Sequence, residues 1–281
     1  MKCNLSSQLA VFCASVLIIH GDVYGGSLPK TNTENCFQLL EETTLKGDHA
    51  PSGGHLQGLV TDKKHLYWSF TRKLVKTDLR GKVVAALDVA YHHGDLAYHD
   101  GRIYVSFFTL GDKAQNKVLV YDTKDLSLVE QHDVKGGKGY NGGLEHYDNH
   151  FYLGEDFQGA SGRPLEIRQF DMNFKFIKAY TLVDKKRQAG SENIARFANS
   201  WWVSSYDPDI PMLRLDDNFR VVETFSSGFP FGFFHWNANT VLVGQPGKTK
   251  NKAQWLKYNP GGRSPQENDA NTTSQTPGKN E

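Results

Sequence analysis

A chain of 281 residues with 32 Lys and Arg against 31 Asp and Glu carries a formal charge of +1, and the two signs are interspersed. That balance excludes the basic stripe of a nucleic-acid binder, so no nucleic-acid partner is expected. Three cysteines exclude a disulfide-stapled scaffold, and a chain of this length can bury a core large enough to fold without staples.

The N-terminus reads as a secretory signal peptide over residues 1–26: Lys2, an apolar stretch from Leu9 to Ile19, then small residues near Gly25 and Gly26. The stretch is shorter than the roughly 20 apolar residues that cross a bilayer. The expected location is therefore extracellular or periplasmic, with cleavage between Gly21 and Ser27 and no membrane span afterwards. Cys3 and Cys13 leave with the signal, and Cys36 remains as a small buried hydrophobe.

The segment CFQLLEETTL, from Cys36 to Leu45, reads as a strand with no partner nearby in sequence. A repeat follows. Leu59, Leu96, Leu144, Ile194 and Phe233 are anchors 37, 48, 50 and 39 residues apart, and each leads through a polar turn to a second apolar run. The turns are TDKKH, YHDGR, HYDNH, RFANS and HWNAN. In the first four copies a third strand (KLVKTDLRG, KVLVYDTKD, LEIRQFDMN, MLRLDDN) and a fourth (KVVAALDV, LSLVEQHDV, FKFIKAYTLV, FRVVETFSS) complete the unit. Four antiparallel strands recurring at this period predict propeller blades.

The fifth copy stops after its third strand, AQWLKY, and gives way to a Gly-, Pro-, Asn- and Thr-rich tail. The tail, 259–281, is expected to be disordered and carries an Asn271-Thr-Thr sequon. The lone early strand then supplies the missing outer strand. The prediction is an all-β fold over 34–258: a five-bladed β-propeller of four-stranded antiparallel blades, closed by an N-terminal strand, which leaves no open sheet edge.

Residues just before each anchor should gather at one mouth of the central channel, in HLQGL, HHGDL, YNGGL, GSENI and PFGF. The glycines let the backbones crowd near the axis. The ligand-binding candidates are His55, Gln57, His92, His93, Asp95, Asn141, Glu192 and His235; Ser191 and Asn193 stand beside them. Asp95 and Glu192 are the candidate bases. Imidazole beside carboxylate suits zinc, and carboxylate with amide oxygen suits calcium, so a divalent metal held by His93 and Asp95 is the one cofactor considered. Neither His93 nor Asp95 is expected in the core, and metal binding is expected to weaken below about pH 6 as histidines protonate. Most aromatics should fill the wedges between blades, while Tyr206, Phe229 and Phe231 could line a pocket. Two longer loops carry Glu155, Asp156 and Arg163, and Lys185, Lys186 and Arg187.

The first repeat, QGLVTDKKHLYWSFTRKLVKTDLRGKVV, resembles the opening blade of the plant and bacterial glutamine cyclotransferases, and the outer hairpins VYDTKDLSLVEQ and LRLDDNFRVVE fit the same family. The resemblance implies a secreted five-bladed propeller with Gln57 as the pocket glutamine. The family's EGL of blade two stands here as Gly94-Asp95-Leu96, and its NEL of blade four as Glu192-Asn193-Ile194. A one-residue displacement turns a strand side chain to the other face, so cyclisation of N-terminal glutamine is expected to be absent or very weak. Partial likeness to gluconolactonase-like hydrolases and calcium-dependent apyrases leaves a metal-dependent hydrolase open. The expected function is binding of a polar small molecule, peptide or glycan at the channel mouth by a monomer; an enzyme comes second and a protein-interaction scaffold third.

Overall fold

Alternating apolar residues and Asp/Asn/Gly turns do produce a strand at every predicted place. The structure is a computed structural model that describes residues 30–47, 54–111, 114–135, 139–156, 164–183, 189–209, 211–229, 231–247 and 250–260. The signal segment and the tail from 261 lie outside the described residues, as do Arg163 and the Lys185–Arg187 run.

Two strands and a short helix precede the repeats: β1 (Lys30–Thr31), α1 (Thr33–Cys36) and β2 (Phe37–Thr44). Blade 1 is β3 (Leu56–Thr61), β4 (His65–Phe70), β5 (Lys73–Asp78) and β6 (Val83–Asp88). Blade 2 is β7 (His93–His99), β8 (Arg102–Phe108), β9 (Asn116–Asp122) and β10 (Leu128–Asp133). Blade 3 is β11 (Tyr140–Tyr147), β12 (His150–Asp156), β13 (Leu165–Phe170) and β14 (Phe176–Val183). Blade 4 is β15 (Asn193–Phe197), β16 (Ser200–Ser204), β17 (Met212–Leu215) and β18 (Val221–Phe225). Blade 5 is β19 (Phe233–Asn237), β20 (Thr240–Gln245) and β21 (Lys252–Tyr258), completed by β2.

The first strands pack side to side in the order β3, β7, β11, β15, β19 and back to β3, which closes the ring. Close approach there depends on glycine. A Cβ on Gly143 would lie 2.6 Å from the Asn193 carbonyl carbon and 2.7 Å from the Ile194 nitrogen. Both neighbours are backbone of the next blade and cannot step aside. Gly143→Ala is expected to cost about 3 kcal/mol, the order of other overpacked cores, and a thermal melt of the variant checks it.

Apolar side chains fill the wedges between blades in five clusters, one per interface. A repeated outer turn helps to fill them. Asp78, Asp122, Asp171 and Asp216 each accept a backbone N–H from two residues on, at 2.8–2.9 Å. The turn then needs a left-handed residue: Gly81 (φ 76°), Leu126 (φ 62°), Phe174 (φ 57°) and Phe219 (φ 59°). In the last three the side chain is buried against the preceding blade, where its apolar contacts offset the unfavourable backbone.

Closure follows the sequence expectation. β2 pairs antiparallel with β21 from Phe37↔Tyr258 to Thr44↔Lys252. Leu45 is buried where β2 leaves the sheet, and Phe37 lies against Trp202, Phe229, Phe233 and Tyr258. Cys36 is buried at the end of α1. Unforeseen from the repeat pattern, β1 adds a parallel fifth strand to blade 4 through Lys30↔Thr224 and Thr31↔Phe225. Among the described residues, no helix is long and apolar enough to cross a membrane.

Candidate ligand-binding mouth

Parallel first strands put their N-terminal ends at one opening, and the candidates from blades 1 and 2 meet there. The Gln57 amide nitrogen lies 2.7 Å from His55 Nε2 and 3.1 Å from His92 Nε2, which take its two hydrogens, with Thr71 Oγ1 further off at 3.3 Å. With the amide nitrogen so placed, both imidazoles accept at Nε2 and carry their proton at Nδ1. Burial, then the neighbouring His55 ring, pushes the His92 pKa down to about 4, consistent with a neutral acceptor. His92 Nδ1 is buried with no hydrogen-bond partner. Among the described residues, no donor is seen on Gln57 Oε1, although Gln57 is 4% exposed.

An aromatic row continues from this triad around the opening. His92 stacks on Phe108 (centroids 4.6 Å apart), and Phe108 stacks on Tyr140 of blade 3 (4.6 Å). Tyr91 stands edge-on to His92 with the Arg72 guanidinium over its ring. Tyr206 and Phe231 form an edge pair, centroids 5.5 Å apart, and Tyr206 is exposed. Phe229 instead belongs to the closure core against Phe37 and Phe233.

The remaining candidates go elsewhere. Asp95 is buried, contrary to the expectation of a non-core residue. Its Oδ2 accepts the Leu144 N–H at 3.0 Å, tying blade 2 to blade 3. Burial pushes the Asp95 pKa up to about 7, against the opposing pull of backbone N–H groups. Its Oδ1 is buried without a partner, as are Asn193 Oδ1 and Ser191 Oγ. Asn141 is also a blade tie, donating to Lys117 O at 2.9 Å and accepting from the fully buried Arg168 at 3.1 Å. Glu192 is half-buried, and its backbone N–H bonds Ser204 O at 2.8 Å.

His93 was also placed at the mouth and outside the core by sequence; the structure corrects both. It is fully buried in the cleft between blades 1 and 2, with Nδ1 2.8 Å from Ala90 O and Nε2 2.8 Å from Tyr121 Oη. His235 is the third residue of β19, past the anchor, and lies near Lys63 in the turn that follows β3. It therefore belongs to the opposite opening. Regular alternation fixes which face a side chain takes, but not how far along the channel it stands.

Sequence reasoning passed over Glu145 and the histidines of the opposite opening. Glu145 is buried and accepts the Arg196 and His146 N–H groups at 3.1 and 2.8 Å, and burial raises its pKa to about 8. The His99 and His146 rings stack with centroids 3.8 Å apart. Their signal was present in the polar turns YHDGR and HYDNH, which were read only as turns.

No family model matches the chain, and no curated protein matches it. Among solved structures it is similar to the computationally designed Ika4 protein, at 13% identity over 59% of this chain and 92% of that one, TM-score 0.38. It is also similar to a protein of unknown function from Bacteroides caccae, at 10% identity over 66% and 73%, TM-score 0.48. A third is the Pan2 WD40 domain of Neurospora crassa, at 11% identity over 76% and 78%, TM-score 0.42. Likeness at this level carries nothing about activity. The chain's own strand order and closed ring make it a five-bladed β-propeller.

Proposed function

We propose that the protein binds a neutral polar ligand at the blade 1–2 side of the channel mouth. The observation that carries this reading is the His55–Gln57–His92 triad, with a buried imidazole N–H that has no acceptor and an amide oxygen on which no donor is seen among the described residues. A ligand group that donates and accepts side by side, such as an amide or a vicinal diol, complements that pair. The Phe108–Tyr140 row beside it offers apolar faces to the rest of the molecule. Peptide and oligosaccharide panels, screened by NMR on the mature chain, test the reading. Hits should shift the His55, His92 and Tyr140 signals, and Gln57→Ala should weaken them at least ten-fold. Hits that ignore Gln57→Ala, or none from either panel, would remove the proposal.

Because His92 stays neutral down to about pH 4, affinity should hold from pH 8 to 5 and fall only towards pH 4. This moves the expected acid limb well below the histidine range read from sequence. Isothermal titration across that window with the tightest hit checks it.

The enzymatic alternative, cyclotransferase-like or hydrolase-like, takes Asp95 or Glu192 as base. The Leu144 amide on Asp95 argues against it, because one of the two carboxylate oxygens is already committed. A glutaminyl peptide incubated with the protein should yield no pyroglutamate above background. Zinc or calcium on His93 and Asp95 would have to displace either the Ala90 carbonyl from Nδ1 or the Tyr121 hydroxyl from Nε2. Among the described residues, no group of three or more His, Cys, Asp or Glu is arranged to hold a metal.

A further inference from the structure

The cleft between blades 1 and 2 contains a cavity of about 380 Å³, within the size range of small-molecule sites. One wall is the edge of β6 and the residue after it, with Leu87 and Val89 half-buried. The other wall is β9 from Lys117 to Tyr121, a run about 13 Å long at the usual strand rise. Phe107, Tyr121 and His93 make the floor, with the His93 ring centroid 5.7 Å from Phe107 and 5.8 Å from Tyr121. Neighbouring clefts are plugged more fully by the repeated outer turn. Between blades 3 and 4, Phe219 stacks on Tyr180 with centroids 4.0 Å apart, and between blades 2 and 3 Phe174 stacks on Phe151 at 4.4 Å. The same turn position here carries the smaller Leu126.

The floor has a defined polarity. The Ala90 carbonyl can only accept, so His93 Nδ1 is the donor of that 2.8 Å bond. Burial holds the His93 pKa down to about 4, so the ring is neutral and Nε2 is a bare acceptor. The Tyr121 hydroxyl must then give its hydrogen to His93 Nε2 at 2.8 Å. Its oxygen keeps a lone pair, and no protein donor among the described residues reaches it. The floor is aromatic with one acceptor at its base, and Asp88, Gln115, Lys117 and Gln131 stand among the aliphatic side chains of the walls, so the site suits a flat molecule with an apolar face and a hydrogen-bond donor.

We infer that this cleft is a second binding site, separate from the channel mouth, for a small planar aromatic compound whose N–H or O–H donates to Tyr121 Oη. His93 acts as the positioning residue, since it fixes which way the phenol hydrogen points. The probes are indole, which has the donor, and 1-benzothiophene, a near isostere without it. In ¹⁵N-HSQC titrations of the mature chain to 5 mM, both should give saturable shifts confined to Ala90, His93, Leu119, Tyr121 and Gln131, with indole the tighter. Tyr121→Phe should weaken indole about five-fold, the size of one net hydrogen bond, and leave benzothiophene unchanged. Val89→Trp, on the half-buried wall, should abolish both. Should that variant misfold, the Tyr121→Phe comparison still decides. No saturable shifts, shifts scattered away from the cleft, or equal weakening of both probes by Tyr121→Phe would overturn the inference.

Discussion

A chain that begins at Lys46 should fail to fold and should aggregate. Removing the first 45 residues takes β2 out of blade 5 and exposes the ladder groups of β21 from Lys252 to Tyr258. It also removes Cys36, Phe37 and Leu45 from burial. Three apolar side chains at about 1.5–3 kcal/mol each, together with the lost ladder, approach the whole stability of a domain, about 5–15 kcal/mol. The unpaired edge is moreover a template for pairing with another chain. Size-exclusion chromatography and a urea melt read the outcome, and a soluble truncation with a cooperative transition would refute the closure. Phe37→Ala isolates the packing share without touching the ladder. It should cost about 3–5 kcal/mol, as large aromatic truncations do.

Stability should fall by about 1 kcal/mol between pH 6.5 and pH 8, the loss at two buried carboxylates being about half offset by three buried histidines, the reverse of the usual carboxylate effect. Asp95 and Glu145 have folded pKa values raised to about 7 and about 8, chiefly by burial. The folded state therefore holds protons that the unfolded chain has already released near pH 4. That contribution is complete below the unfolded pKa and disappears as pH rises through the folded values. His92, His93 and His146, each pushed down to about 4 chiefly by burial, act oppositely: their stability is lost as pH falls from about 6.5 towards 4. The two sets nearly cancel from pH 5 to 6.5, so the alkaline limb is the diagnostic one. Urea denaturation at pH 6.5, 7.2 and 8.0 measures it. Both Asp95→Asn and Glu145→Gln should flatten the fall, Glu145→Gln about twice as much as Asp95→Asn. A flat profile in the wild type would mean that both carboxylates are ionised when folded.

The architecture was legible because strand periodicity is local: anchor, turn and second run are written within eleven residues, and the blade count follows from repetition. The closure was legible for a similar reason, as a strand without a partner matched a blade without an edge. Site residues were less so. His92 and His93 are adjacent in sequence, yet one bonds Gln57 at the mouth while the other bonds Tyr121 in a side cleft. Adjacent strand residues face opposite ways, and the irregular register between His93 and Leu96 resets which face follows. Asp95 and Asn141 looked like ligands because buried blade ties and ligand contacts draw on the same polar residue types. Only the identity of the partner, a backbone group of an adjacent blade, separates the two roles.

The pairing of β2 with β21 also bears on how the molecule is made. Glu42 bonds Gln254, 212 positions later, so β2 leaves the ribosome long before the strand it pairs with. Blades 1 to 4 can form while synthesis continues, but β2 has no proper partner until β21 has been made. The entropy of closing so long a loop rises only slowly with its length, so the cost falls on the folding rate more than on the finished stability. Joining the present ends with a short linker and opening the chain between two intact blades would turn that late, long-range step into a local hairpin, and the permuted protein should fold faster.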